Sequence, residues 1–478
     1  MTENPIYYMR AVDLAAMIIE REVSTVEVMQ AFLERIEAVN PAVNAICALR
    51  PKSDLLKEAE QADEKTASGD RLGRLHGMPL AVKDLALTKG LTTTFGSPLF
   101  KDFIPDQDEL FVERLKNEGA IIIGKTNTPE FGAGSHTFNK VYGVTRNPYD
   151  LTRTAGGSSG GAAAALAAGM LPLADGSDLG GSLRNPAGFC NVVGFRPSPG
   201  RVPMWPAPHA WQTLSVEGPM ARTVKDVAHL LSIMAGPDPR APGALDDPGT
   251  DFMKPLERDF NGTRIAWTPD LGKFPVEKEV IARCEKSLDI FKTLGSQVDK
   301  DQPEVGNAFE TFQVLRAFQF ISLGIDVTAH GPFIKETVAW NVKKGLALSS
   351  MDIARAEAAR TNFYHRVRTF LETYEFLLLP TTQVTPFPVE EEWVHEIEGV
   401  DMHTYIDWMA MNCVITLTGL PAVSVPCGFT EKGLPVGLQI VGRLHRDFDV
   451  LQLAWAFEQA TQFNLKRPDV GRSWEGVL

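Results

Sequence analysis

Three short stretches hold residues that could carry acyl-transfer chemistry. In Asp175-Gly176-Ser177-Asp178-Leu179-Gly180-Gly181-Ser182-Leu183-Arg184 a serine follows two glycines. Little side-chain bulk then blocks an incoming carbonyl, and successive N–H groups can converge on one oxygen, as a serine nucleophile with an oxyanion hole requires. Asp178 and Arg184 flank the serine with opposite charges and could pair to fix the loop. The plainer alternative is a tight turn with a surface salt bridge. Gly156-Gly157-Ser158-Ser159-Gly160-Gly161 opens onto Ala162-Ala163-Ala164-Ala165-Leu166, a helix start whose N–H groups could hold an anion or a polarised oxygen. Its Gly156-x-Ser158-x-Gly160 spacing also fits a nucleophile elbow. Asp150-Leu151-Thr152-Arg153-Thr154 is not the apolar strand an elbow follows, so a close-packing glycine turn stays open as the alternative. Finally, Gly77-Met78-Pro79-Leu80-Ala81-Val82-Lys83-Asp84 sets a lysine in an apolar run. Such a lysine usually reaches solvent. Pointed inward, it is desolvated, its pKa falls, and it becomes the neutral amine that a general base must be.

Other chemistries find less support. Gly119-Ala120-Ile121-Ile122-Ile123-Gly124-Lys125-Thr126 satisfies the phosphate-loop pattern, yet its centre is Ala and three Ile, which specify a buried strand and not a loop curled around phosphate. The nine histidines stand in dissimilar contexts without metal-binding spacing, and none is nominated as a triad member. No metal or cofactor is expected. A net charge of −13 repels phosphate backbones and anionic lipid, which argues against nucleic-acid and membrane partners. The first residues lack a basic stretch leading into an apolar run, and the longest apolar tract, residues 162–174, is short and broken by Gly169 and Pro172. Five scattered cysteines read as reduced core thiols. A cytoplasmic setting is the expectation.

The elements that must position these residues follow from periodicity. Ser24-Thr25-Val26-Glu27 forms a capping box, and Val26, Met29, Phe32, Leu33 and Ile36 continue at helical spacing until Asn40-Pro41. From residue 75 to 195 short apolar runs alternate with helical stretches, the pattern of buried strands and crossover helices. Residues 237–259 are rich in Pro, Gly and Asp and read as surface loop. A strand at 262–268, an amphipathic helix at 277–294, a mostly helical stretch at 309–374 and a strand at 376–379 come next. Residues 422–426 and 436–441 pair as a hairpin, and a helix from about 449 to 461 closes the chain. With 44% hydrophobic residues in 478, one large α/β domain with a helical insertion fits best.

Together the three stretches resemble the amidase signature family. The likeness extends over Gly124-Lys125-Thr126-Asn127, Glu130-Phe131, Arg146-Asn147-Pro148, Pro186-Ala187, Gly194-Phe195-Arg196-Pro197, Gly218-Pro219-Met220-Ala221-Arg222-Thr223, Gly419-Leu420-Pro421-Ala422 and Gly433-Leu434-Pro435-Val436-Gly437-Leu438-Gln439. It is weakest from about 240 to 370. The resemblance implies an α/β fold with a mixed β-sheet sandwiched by helices, spanning 1–478 as one domain. Its parts would be a helical N-terminal segment (1–65), a catalytic core block (66–235), a variable part with a helical insertion (240–400) and the C-terminal part of the core (401–478). It implies hydrolysis of linear amides by a Ser–cis-Ser–Lys triad, which falls on Ser182 (nucleophile), Ser158 (after a cis bond to Gly157) and Lys83 (base). The oxyanion donors would be the N–H groups of Leu179, Gly180, Gly181 and Ser182, supported by Gly157, Ser159, Asp178 and Arg184. Gly132, Ala133, Gly134, Trp205 and Met409 are carried over as substrate contacts.

The chain also departs from the family's pattern. Leu179 stands where a threonine is common. Met409, beside Trp408 and Met411, stands where the glutaminase subunit of glutamyl-tRNA amidotransferase needs an acid for its substrate's amino group. The expectation is therefore a free-standing hydrolase of small acyl or aryl amides, with anilides, esters and carbamates (urethanes) open to the same machinery. The amidotransferase glutaminase is the alternative. His209, Trp211, Phe318, Phe320 and Trp340 are core aromatics or, some of them, pocket walls that would favour an aryl or extended apolar group. Apart from the small-molecule substrate, a homodimer is the one assembly left open.

Overall fold

The computed structural model describes residues 5–470. Its centre is an eight-stranded mixed sheet. The strands run, from one edge to the other, Gln297–Lys300, Arg264–Trp267, Phe376–Pro380, Pro435–Val441, Ala422–Phe429, Val193–Arg196, Val216–Ala221 and Leu173–Asp178. The two pairings made by Arg264–Trp267 are parallel, and the other five are antiparallel. The central strands are buried on both faces, which is why they read as near-continuous apolar runs.

A small three-stranded sheet of Ile46–Cys47, Ile121–Thr126 and Pro79–Lys83 lies against the Leu173–Asp178 edge. The phosphate-loop look-alike is thus the strand Ile121–Thr126, with Lys125 fully buried inside it. Lys125 Nζ donates to Ala86 O at 2.5 Å and to Thr88 Oγ1 at 2.9 Å. Below the glycine turn the helix Gly160–Ala167 is buried on every side, as an all-apolar Ala-rich helix must be.

The local expectations hold with instructive exceptions. The capping box of Ser24 and Glu27 is present, but the helix Thr25–Val43 runs through Pro41. The proline removes one donor, yet Asn44 N–H still closes on Asn40 O at 2.7 Å, and the Asn40 side chain takes the N–H groups of Ala45 and Ile46. The amphipathic stretch at 277–294 is two helices, Lys278–Glu285 and Leu288–Thr293, parted at Ser287, whose hydroxyl sits 3.0 Å from Cys427 Sγ. The helical middle resolves into Ala308–Ile321, Val327–His330, Glu336–Leu346 and Ser350–Thr373. The C-terminal hairpin forms as expected, with a register shift between Pro426 and Gly428.

Candidate active site

Lys83 is the last residue of the strand Pro79–Lys83 and is 1% exposed. Its backbone N–H is held by both Asp175 carboxylate oxygens at 3.2 Å, which pins the strand end against the edge of the large sheet. The side chain points inward. Nζ lies 2.8 Å from Ser158 Oγ, 2.8 Å from Ser159 Oγ and 2.9 Å from Ser177 Oγ. Three hydroxyls satisfy a protonated amine, and any of them can turn its own O–H toward the lone pair of a neutral one. Burial lowers the lysine from its ordinary range to about 8, against the opposing pull of Glu217, Asp175 and Asp178.

The Gly157–Ser158 peptide bond is cis. Its turn is tied down by side chains from the preceding segment: Ser135 Oγ donates to Gly157 O at 2.5 Å and Thr137 Oγ1 to Gly156 O at 2.8 Å. Ser159 N–H donates to Ser182 O at 3.2 Å, joining the two serine loops. Ser182 lies between the strand Leu173–Asp178 and the short helix Arg184–Cys190. Before it Gly181 has φ +106°, and an added Cβ would stand 2.8 Å from Asn185 Nδ2 and Asn412 Cβ, so only glycine fits.

The loop rests on a buried ion cluster. Asp178 accepts from Arg184 Nε at 3.0 Å and Nη2 at 2.9 Å, and from Arg196 Nη1 at 3.1 Å. Burial alone would push this carboxyl up, but the two guanidiniums outweigh it and hold Asp178 well below the usual carboxylate range. Arg184 reaches on to Asn412 Oδ1 at 2.8 Å, Thr416 Oγ1 at 2.8 Å and Gln439 Oε1 at 2.7 Å. The Asp178–Arg184 pair is therefore no surface salt bridge.

Asp178 also accepts the N–H groups of Gly181 at 2.9 Å and Leu183 at 3.2 Å. Gly181 N–H, expected among the oxyanion donors, is thus committed to the carboxylate. Among the described residues the N–H groups of Leu179, Gly180 and Ser182 have no protein acceptor. Ser158, Ser177 and Ser182 open into one cavity of about 120 Å³ together with Leu179 and Gly180. Ser182 Oγ hydrogen-bonds to no described residue and is half-buried at the cavity wall.

With this geometry in place, comparison with known sequences is decisive: the sequence profile of the amidase family matches residues 27–451. The chain belongs to the amidase family. An acylamidase of Rhodococcus erythropolis is 36% identical over 472 residues, covering 98% of both chains. A glutamyl-tRNA(Gln) amidotransferase subunit of Moorella thermoacetica is 35% identical over 494 residues, covering 98% of this chain and 99% of that one. Among solved structures, a bacterial aryl acylamidase of the amidase signature enzymes superposes with a TM-score of 0.90 at 29% identity, over 98% of this chain and 99% of that one. The protein is an enzyme that hydrolyses amide C–N bonds.

Of the substrate contacts carried over, Gly132, Gly134 and Met409 line this amidase's cavity. Ala133 is buried between the two glycines and offers its carbonyl to Lys335 Nζ at 3.4 Å. Trp205 does not line the cavity. Its ring is covered by the Arg240 guanidinium at 4.6 Å, and its carbonyl accepts Leu110 N–H at 2.8 Å. Phe320 is a wall, whereas Phe318 packs against His209, Trp340 packs against Tyr405, and Trp211 is 79% exposed. Leu85, Phe131, Ser215 and Arg316 complete the wall without having been singled out as contacts. Leu85 follows Lys83-Asp84 and Phe131 sits in the Glu130-Phe131 motif, so both lay beside a signal. Arg316 lies in the stretch 309–374, which the sequence marks as helical without singling out any one of its charges.

Proposed function

We propose that this chain is a free-standing serine amidase acting on small acyl or aryl amides through an acyl-enzyme, with Ser182 as nucleophile, Ser158 as relay and Lys83 as base. The observation that carries the reading is the buried Lys83 amine 2.8 Å from Ser158 Oγ, at the wall of a cavity that also exposes Ser182. A lysine brought down to about 8 is uncharged in a useful fraction near neutral pH, which a base requires. Neutral Lys83 takes the Ser158 proton as Ser158 takes the proton of Ser182. Ser182 Oγ then attacks the carbonyl carbon. The resulting oxyanion is held by the N–H groups of Leu179, Gly180 and Ser182. When the C–N bond breaks, Ser158 passes its proton to the departing amine, and a water activated by the same relay releases the acid. Esters, anilides and carbamates present the same carbonyl to the same groups and fall within the proposed range. Five buried free thiols support a reducing, cytoplasmic setting.

The amidotransferase reading is the weaker one despite comparable sequence identity. The free ammonium of glutamine needs an anionic partner, and no carboxylate is among the residues lining the cavity. Met409, an apolar thioether, stands where that partner would be. The test is turnover by the purified chain alone: hydrolysis of 4-nitroacetanilide is expected, with glutamine ignored and Ser182→Ala inactive. Glutaminase activity without anilide hydrolysis would reverse the choice.

A further inference from the structure

The cavity wall contains one cation that the proposed chemistry does not use. Arg316 lies on the helix Ala308–Ile321 and is 3% exposed, yet it lines the cavity with Ser182 and Met409. Its guanidinium donates to Asn341 Oδ1 and Tyr405 Oη, and it lies 4.5 Å from the centre of the Phe320 ring and 5.2 Å from that of Tyr405. Both acceptors are neutral, and no described carboxylate stands within ion-pair reach. The contrast with its neighbours is sharp: Arg184 and Arg196 share Asp178, and Lys335 has Glu392 at 3.1 Å. A guanidinium carries five N–H groups, two of which are accounted for. Burying such a charge without a counter-ion is unfavourable unless something else supplies the anion.

We infer that Arg316 is a specificity-determining residue that binds a carboxylate on the substrate, so that the preferred substrates are amides carrying an anionic group a few bonds from the scissile carbonyl. Asn341 and Tyr405 hold the fork in place, and the rings of Phe320 and Tyr405 shield its faces, leaving its edge for a planar carboxylate. The apolar remainder of the wall (Leu85, Phe131, Leu179, Phe320 and Met409) then covers the carbon skeleton between the anion and the amide. This assignment rests on the cavity being the amidase site.

The test uses two matched pairs of substrates. On the acyl side, succinyl-4-nitroanilide is compared with butyryl-4-nitroanilide. On the leaving-group side, 4-acetamidobenzoate is compared with 4-methylacetanilide. In one pair kcat/KM should favour the anion by about tenfold or more, the fold-change of one charge-assisted hydrogen bond. Arg316→Met should bring that ratio near one, and Arg316→Lys, which keeps the charge without the fork, should bring it part of the way. A wild-type ratio near one in both pairs overturns the assignment without any variant. So does a preference that survives undiminished in whichever of the two variants folds. Hydrolysis of the neutral members is expected whichever way the ratios fall. If wild type leaves all four compounds as untouched as Ser182→Ala does, the amidase reading itself fails and takes this one with it.

Discussion

In the proposed mechanism a lysine serves as base because of what it is denied. Lys83 has no ion-pair partner among the described residues, only three hydroxyls, and burial prevails over the distant carboxylates. Replacing it by Met, of similar length and apolar, should leave the fold in place and lower acylation by roughly 10²–10⁴-fold, the ordinary contribution of a general base. A loss of only a few-fold in stopped-flow acyl transfer would assign proton removal elsewhere. Ser159 and Ser177 sit as close to Nζ as Ser158 does, so distance alone does not single out the relay. Position sets Ser159 aside, since it is fully buried behind the cavity wall, whereas Ser158 and Ser177 share that wall with Ser182 and the proposed relay is Ser158. Ser158→Ala should therefore approach the defect of Lys83→Met, while Ser159→Ala should cost far less.

The elements bring these residues together through close backbone approach. An added Cβ at Gly160 would run into Thr137, and one at Gly161 into the Asn127 backbone, so the helix Gly160–Ala167 lies directly against the strand end that follows Lys125. Gly161→Ala should push this helix off the small sheet. We expect it to destabilise the protein by about 1–3 kcal/mol in urea unfolding, with kcat falling alongside because Ser158 moves relative to Lys83. Unchanged stability and kcat would show that the contact is not needed. Much of this level was legible in the sequence. The Ala-rich helix and the Ile-rich strand each formed as read, and the glycine block, left open between an anion-holding turn and a close-packing one, does pack closely. What escaped depended on partners remote in sequence. Pro41 within a helix is tolerated because Asn40 and Asn44 recover the hydrogen bonding around it, and Arg316 faces the cavity because Asn341 and Tyr405 draw it there. Trp205, expected as a substrate contact, stays off the cavity wall for the same reason: nothing near it in the sequence announces Arg240, which covers it.

At the scale of the molecule the loop that carries Ser182, the proposed nucleophile, is anchored by segments more than two hundred residues away. Arg184 joins Asp178 to the helix Ala410–Thr418 and the strand Pro435–Val441, and Gln439 Nε2 closes the circuit on Asn412 Oδ1 at 2.8 Å. This gives physical content to the Gly433–Gln439 motif, which sequence alone marked as familiar without saying why. Asp178→Asn would leave Arg184 and Arg196 buried without their shared counter-charge, and a loss of about 3–5 kcal/mol in equilibrium unfolding is expected. A loss below about 1 kcal/mol would mean that the neutral partners suffice.

The measurement that bears most directly on the central claim is the pH dependence of kcat/KM for a neutral anilide, whose own charge does not change. Burial lowers the Lys83 pKa to about 8, and only the uncharged amine can accept the proton. Activity should therefore level off above about pH 8 and fall about tenfold per pH unit below it. A profile that stays flat down to pH 6, or that breaks near the ordinary histidine range, would contradict a lysine base.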